Sequence, residues 1–396
     1  MKDQLSDLSH RIEALQPNMI KWRRHLHENP ELSFEEFETS AYIADMLETF
    51  GYNVQTRIGG TGVLGTLDTG QAGPCIAFRA DMDALPVVEA TGLSFESKRC
   101  GIMHACGHDA HMAVLLGTAK ILADMKDELK GIIKIIFQPG EEANGGAKCM
   151  IDGDVLENPK AEAIFALHIM PAFPAGNIGI KSGYLSATDD IVIINVHGIA
   201  AHSSEPEKGV NAIMIAANIL TALQSIKASS ISPFDITTFD ICKIRGGEAD
   251  NVIADTVEMS GMIRCIDRQN KLLYRERIER ICSHAAMALG GSADVDFIEG
   301  FPAVYNDPAY NEMLKNAASE ILGGDQHIIE LQMPHLGSED FSYYQEVIPG
   351  VIFLLGVGAE GEDRGELHSP ILNLHEDALA CGVKVFVNTA LKLNKR

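Results

Sequence analysis

The run IMHACGHDAHM, residues 102–112, places His104, Cys106, His108, Asp109 and His111 within eleven positions. Such side chains support two chemistries. A cysteine beside an imidazole is a nucleophile with its base, provided a third group orients the base. A thiolate and an imidazole separated by one glycine, Gly107, which permits a sharp turn, equally suit zinc or another borderline-soft ion. A third reading has no chemistry in it: a helix start with polar capping residues and a buried cysteine. The cluster by itself leaves all three open.

Other segments carry ligand-type residues: RADMDALP (79–86), QPGEEANGG (138–146), ALHIMP (166–171) and GELHSP (365–370). Glu141 and Glu142 follow the apolar run GIIKIIFQPG, which puts them at a strand end, where α/β sheets carry their sites. Adjacent side chains point differently, so one carboxylate can hold a metal while the other addresses a water. His168 sits near the end of a second apolar strand, and His368 lies in a loop before Pro370. Each histidine alone is uninformative. Together, Cys, His, Glu, His and His at strand ends and loops are enough donors for two metal ions.

The elements that must position these residues read as an α/β layer. Helices are expected over 1–28 and 34–50, the second opened by Ser33 with Glu36 three residues on, a capping-box spacing. YNVQTRI, TGVLGTL, PCIAFRA, GIIKIIFQP and AEAIFALHIM read as strands, and 108–125 has helical apolar spacing. HLGSEDF puts Glu339 and Asp340 at an expected helix start, where acids favour the dipole. Near residue 186 the order changes to strand, helix, two strands, helix, strand, the split βαββαβ unit. The sequence therefore predicts a discontinuous catalytic domain, 1–185 plus 298–396, interrupted by an α+β insertion over 186–297.

Composition narrows the partners. The 396 residues carry a formal charge of −23, which argues against nucleic acid, whose phosphates would be repelled. No apolar run reads as a membrane span of about 18 residues, and the charged, helical N-terminus reads as neither signal peptide nor anchor. The eight cysteines show no CxxC spacing and are expected as reduced thiols in the cytoplasm.

RRHLHENPELSFEEFET, RADMDALPVVEATGLSFES, MHACGHDAHMAVLLGTAKIL, FQPGEEANGGAKCMI and ALHIMP resemble the M20 metallopeptidase family. The nearest likeness is to the subfamily of hippurate hydrolases, auxin-conjugate hydrolases and N-acyl-L-amino-acid amidohydrolases. It continues through GVNAIMIAANILTALQSI, LGSEDFSYY and LHSP, nearly the whole chain, and because the family has LGSEDF near its active site the resemblance gives Glu339 and Asp340 a supporting role there as their second reading. The resemblance implies a two-domain protein: a zinc-peptidase-like α/β catalytic domain with an inserted ferredoxin-like lid or dimerisation domain. By motif, Cys106, His108, Glu142, His168 and His368 match the ligands of two divalent transition metals, zinc or manganese first, cobalt or nickel next. Glu141 matches the general base. His202 matches a lid histidine that stabilises the oxyanion, acting within the chain or across a dimer. Asn251 and Arg264 match substrate-binding positions, Arg264 as a clamp for an α-carboxylate. Asp83 is either the acceptor that orients a ligating histidine or a turn residue before Pro86. The implied reaction is hydrolysis of an N-acyl-L-amino acid by a homodimer or homotetramer. Deacetylation of N-acetyl-diaminopimelate, a non-catalytic metal-binding module and a cysteine hydrolase built on Cys106 are the alternatives.

Overall fold

The computed structural model describes residues 2–143, 145–359, 361 and 364–394. The first 185 residues form α1 (Lys2–Glu28), α2 (Phe37–Phe50), β1 (Asn53–Ile58), β2 (Gly62–Asp68), β3 (Cys75–Asp81), α3 (His108–Asp124), β4 (Ile132–Gln138), α4 (Gly146–Asp152), β5 (Ala163–Pro174), β6 (Ile178–Ile180) and β7 (Gly183–Tyr184). Next come β8 (Asp190–His197), α5 (Ala212–Ser229), β9 (Thr237–Gly246), β10 (Thr256–Cys265), α6 (Arg268–Ala288) and β11 (Ser292–Ile298). The remainder is β12 (Tyr305–Asn306), α7 (Pro308–Leu322), β13 (Ile328–Glu330), α8 (Ser342–Val347), β14 (Gly350–Gly358) and α9 (Ala378–Asn394).

These elements divide into two compact units. The larger comprises Met1–Leu185, Tyr305–Met333 and Asp340–Arg396; the smaller comprises Ser186–Val304 and Pro334–Glu339. In the larger unit an eight-stranded mixed sheet runs β1-β2-β4-β3-β5-β14-β6-β13. Its centre, β4, β3, β5 and β14, is parallel. Those strands are near-continuous apolar runs because a parallel sheet is buried on both faces, and β14 is buried at every position. Helices α1, α3 and α9 bury Leu26, Leu115 and Phe386 in the same core. The C-termini of β3, β4 and β5 share one edge, so the loops after them converge there.

The smaller unit is an antiparallel sheet in the order β11-β8-β10-β9. With α5 and α6 this is the ferredoxin-like βαββαβ order. Helix α5 is long and apolar enough by composition to cross a membrane, with mean hydropathy 1.3. Its apolar stripe, Ile215, Ile219, Leu223 and Ile226, is buried in the unit's own core. Pro334–Glu339 joins this unit through its own bonds: Arg264 Nη1 donates to Leu336 O at 2.6 Å and Ser338 Oγ to Asp189 Oδ2 at 2.7 Å. The pattern of the sequence near residue 298 does not announce that late return.

The expected capping box at Ser33 and Glu36 does not form. Helix α2 starts at Phe37, and neither side chain caps it. The capping acceptor is Glu31, whose carboxylate takes the amides of Glu38 (3.2 Å) and Thr39 (2.8 Å). Ser33 and Glu36 are released for the site described below.

The start of α3 is fixed by buried charge. Arg23 Nε donates to Asp109 Oδ2 at 2.8 Å, and the two ring nitrogens of His27 meet Asp109 Oδ2 (2.8 Å) and Glu89 Oε1 (3.0 Å). Burial alone would push the His27 imidazolium down; Asp109 and Glu89 outweigh it and raise the group to about 9. A pKa raised above the unfolded value stabilises the fold fully below about 6.5 and loses that contribution as pH rises through about 9, on the order of 3 kcal/mol in all. His27→Gln is therefore expected to destabilise the protein much more at pH 6 than at pH 10 in urea unfolding. An equal penalty at both pH values would refute the assignment.

Candidate metal centre

The expected metal ligands, with Glu141 and Asp83, come from three connections and strand β5 of the larger unit. The loop after β3 carries Asp83, the entry to α3 carries Cys106 and His108, and the turn after β4 carries Glu141 and Glu142. His168 lies midway along β5, which runs on to Pro174, beyond the strand end expected from the sequence. His368 comes from the segment before α9, where its amide donates to Ala105 O at 2.7 Å and its φ is +66°.

Gly107 sets the path of the Cys106 loop. Its φ is +83°, and a Cβ there would meet Ile169 Cδ1 at 2.2 Å. Only glycine both takes this turn and lets the loop lie against β5. Gly140 plays the same part before the glutamates: φ is +61°, and a Cβ would lie 2.6 Å from the Phe34 ring. Its amide donates to Glu36 Oε1 at 2.9 Å, while Glu36 Oε2 accepts from Thr61 Oγ1 at 2.5 Å.

Donor atoms of Cys106, His108 and His168 lie within 4.8 Å of one another. The same holds for Cys106, Glu142 and His368, and for His108, Glu141 and Glu142. The three groups interlock through shared members, as two neighbouring cations would require. Ligands at 2.0–2.3 Å from a common ion stand about 3–4 Å apart; Cys106 Sγ and His168 Nε2 are at 3.4 Å, and His368 Nε2 and Glu142 Oε1 at 3.3 Å.

The tautomers are set by what holds each ring. His108 Nδ1 contacts Asp83 O at 2.9 Å and Asp83 Oδ1 at 3.3 Å, leaving Nε2 buried with no hydrogen-bond partner among the described residues. His168 Nδ1 meets Ile169 O at 2.7 Å, which turns Nε2 toward Cys106. Asp83 Oδ2 accepts from Ser33 Oγ (2.6 Å) and from the Glu142 amide (3.0 Å). Asp83 thus touches both His108 and the glutamate turn. An orphaned imidazole nitrogen beside a thiol and two carboxylates fits a borderline-soft divalent cation well.

Burial disfavours charge on His108, but Asp81 and Asp83 outweigh it and hold the ring well above the usual imidazole value. Cys106 and Glu142 hydrogen bonds raise His368 to about 10, and burial pushes the Cys106 thiol up. His168 goes the other way, to about 3, through burial and then the neighbouring His111.

Several residues of the site carry no recognisable local signal. Arg79 in β3 donates to Asp81 Oδ2, Gln138 Oε1 and Asp340 Oδ1, each at 2.8 Å, with all three side chains buried. Gln138 Nε2 and the Ala147 amide also donate to Asp340 (2.8 Å each, to Oδ2). Asp340 is therefore a buried counter-ion rather than an acid placed for a helix dipole. Its neighbour in space gives a further signal, an arginine directly after the apolar run CIAF of β3.

The smaller unit holds His202, Asn251 and Arg264. Ser203 N donates to Asn251 O at 3.0 Å, placing the first two side by side. His202 is exposed, and its Nδ1 accepts from Ser204 N at 3.1 Å, so the neutral ring carries its proton on Nε2, ready to donate. Arg264 Nη1 is committed to Leu336 O.

Residues 77–392 match Peptidase family M20/M25/M40. The chain belongs to the M20 family. This M20 chain is 37% identical over 382 residues to an N-acetylcysteine deacetylase of Bacillus subtilis, covering 96% of this chain and 97% of that one. It is 37% identical over 381 residues to IAA-amino acid hydrolase ILR1-like 4 of Arabidopsis thaliana, covering 94% and 85%. Among solved structures it superposes with a TM-score of 0.85 on the B. subtilis YXEP protein, a dinuclear metal-binding peptidase of the M20 family, at 34% identity over 97% and 99% of the chains. A protein from methicillin-resistant Staphylococcus aureus, assigned as an aminohydrolase, matches with a TM-score of 0.93 and 34% identity over 100% of both chains. The M20 membership makes this an amidohydrolase or peptidase, and the dinuclear neighbour supports two metal ions.

Metal ligands must be deprotonated to bind. With His108 and His368 both raised, metal uptake at pH 7 is expected to release protons. Calorimetric titration in buffers of different ionisation enthalpy reads this directly; an apparent enthalpy independent of buffer would contradict it.

Proposed function

We propose that this M20 protein hydrolyses the amide bond of N-acyl-L-amino acids, with two transition-metal ions held by Cys106, His108, Glu142, His168 and His368. The observation that carries the reading is the interlocking of three donor groups around the orphaned Nε2 of His108. Zinc or manganese is the expected occupant, with cobalt or nickel as substitutes, because the Cys106 thiolate disfavours magnesium and calcium. Such ions, when bound, supply Lewis acidity toward the amide carbonyl and lower the pKa of water.

The chain's own residues do the rest. Glu141 lies with His108 and Glu142 in one of the donor groups. As general base it takes a proton from the attacking water and delivers it to the leaving amine nitrogen. Asp83 keeps His108 in the Nδ1–H tautomer, so that Nε2 faces the reaction centre. His202, with its proton on Nε2, donates to the developing oxyanion. Arg264 and Asn251 bind the α-carboxylate through the donors they have left. The substrate class is supported by relatives whose names share one feature: N-acetylcysteine and an IAA–amino acid conjugate are both acylated on the nitrogen of an amino acid.

The smaller unit is the expected dimerisation surface. Edge strand β9 is largely exposed, and Ile244 on it, with Ile213 and Met214 at the start of α5, are large apolar residues left in solvent. Gly247, just past β9, lies against Ile213, so strand edge and helix form one patch of the kind a second copy covers. The expected setting is cytoplasmic, as a homodimer or homotetramer acting on small molecules. A monomer by analytical ultracentrifugation at micromolar concentration would refute the assembly.

The reaction is tested by stripping metal with a chelator, reloading with each candidate ion and assaying a panel of N-acyl-amino acids. Activity should vanish and return with a transition metal. Glu141→Gln should keep the metals yet lose about 10²–10⁴-fold in turnover. Full turnover in that variant, with metal content confirmed, would overturn the base assignment.

A further inference from the structure

His111 lies one helical turn after His108 on α3, in the same ligand-rich segment, yet the donor groups of the metal centre do not need it. Its surroundings explain why. Strands β3 and β5 pair from Ile76↔Ala163 to Arg79↔Ala166, and there the ladder stops. Strand β5 continues to Pro174, still paired on its other side with β14. Ile164 donates its amide to Pro349 O, on the β14 side. Amides alternate along a strand, so that of Ile169, an odd number of residues on, points to the side from which β3 has departed. A buried amide left there without an acceptor would give up its bond to water and gain nothing in return.

His111 supplies the acceptor. Its Nε2 takes the Ile169 amide at 2.9 Å, and its Nδ1 meets Asp81 Oδ1 at 2.6 Å. Asp81 is the last residue of β3, and its other oxygen accepts from Arg79. The ladder is thus prolonged by side chains: Arg79, Asp81, His111, then the backbone of β5. Asp81 also settles the tautomer, since a proton donated from Nδ1 leaves Nε2 free to accept. The peptide so held is the one after His168, and its carbonyl, Ile169 O, receives His168 Nδ1 at 2.7 Å. The Ile169 side chain in turn packs where a Cβ on Gly107 would be, so the same residue seats the Cys106 loop.

We propose that His111 is a positioning residue: by accepting the Ile169 amide it fixes the direction in which His168 presents Nε2, and so sets the affinity of the metal position that uses His168. His111 itself is excluded from ligation because both its nitrogens are engaged. The proposal rests on the dinuclear reading above.

The test is Co²⁺ titration of metal-stripped full-length protein, followed by visible absorption and calorimetry, with melting temperature recorded alongside. His111→Asn keeps an amide near the Nδ1 position, able to donate to Asp81, but is too short to reach Ile169. His111→Gln places an amide oxygen near the Nε2 position and can restore that acceptor. Wild type should take two equivalents. In His111→Asn one equivalent should weaken about 10–100-fold with the other unchanged, and His111→Gln should recover part of the loss. Two equivalents as tight as wild type in His111→Asn would overturn the proposal. So would equal weakening of both equivalents with a lowered melting temperature and no rescue by Gln, since that is a role in folding alone. Failure of the wild type to bind two equivalents would overturn the dinuclear reading and this proposal with it.

Discussion

A guanidinium at the end of an apolar sheet is the constraint around which the larger unit is arranged. Arg79 sits in β3 with its side chain shut off from solvent. A buried charge without its partner costs about 3–5 kcal/mol, so the arginine binds its neighbours into fixed places. Asp81 comes from the end of its own strand, Gln138 from the end of β4, and Asp340 from the segment leading into α8. Asp340 is shared further, with Gln138 and with the first turn of α4. Two adjacent strand ends, one short helix and a distant segment are thereby pinned by a single side chain, and the glutamate turn begins two residues beyond Gln138.

The second layer of constraint acts on the loops that leave those strand ends. Apart from His168 within β5, the donors of the candidate metal centre sit on, or next to, segments with few intrinsic preferences, anchored by bonds from elsewhere. Glu36 holds the amide of Gly140 on one side and Thr61 on the other. Asp83 joins Ser33, the Glu142 amide and His108. The amide of His368 is tied to Ala105, beside Cys106. Second-layer bonds of this kind orient ligands and tune them. They also let a site built from residues 83 to 368 behave as a unit, because each anchor links two of its loops.

This division explains what the sequence discloses. The candidate donors stood out because their types are chemically restricted and some, as Glu141 and Glu142, closely follow apolar runs. The α/β class and the βαββαβ insertion were legible because strand and helix periods differ. The anchors were not. Ser33 and Glu36 have the spacing of a capping box, and Asp340 stands where an acid would suit a helix start; a local role accounts for each, and only the family likeness of LGSEDF points to a remote one, without naming its partner. Their real partners, Asp83, Thr61 and Arg79, are 25 to 261 residues away in the chain. Glu31, which does cap α2, precedes it by six residues, outside the spacing that capping rules scan. Such pairings are properties of topology and have no periodic trace.

The histidines show how finely the frame decides chemistry. His108 and His111 share a helix face, and both place Nδ1 against an aspartate or its backbone. They differ at the opposite nitrogen. Among the described residues no hydrogen bond within normal limits engages His108 Nε2, while His111 Nε2 meets the amide that the β3 ladder no longer reaches. Hence one ring keeps a nitrogen directed at Cys106 and the glutamates, and the other is consumed in completing a sheet. Residue type and spacing cannot separate the two. The point at which the β3–β5 ladder stops does, since in that register Ile169 would face Met82, three positions beyond the last pair, and a ladder carried that far would leave His111 without that bond. The length of one ladder therefore determines which imidazole remains available for chemistry.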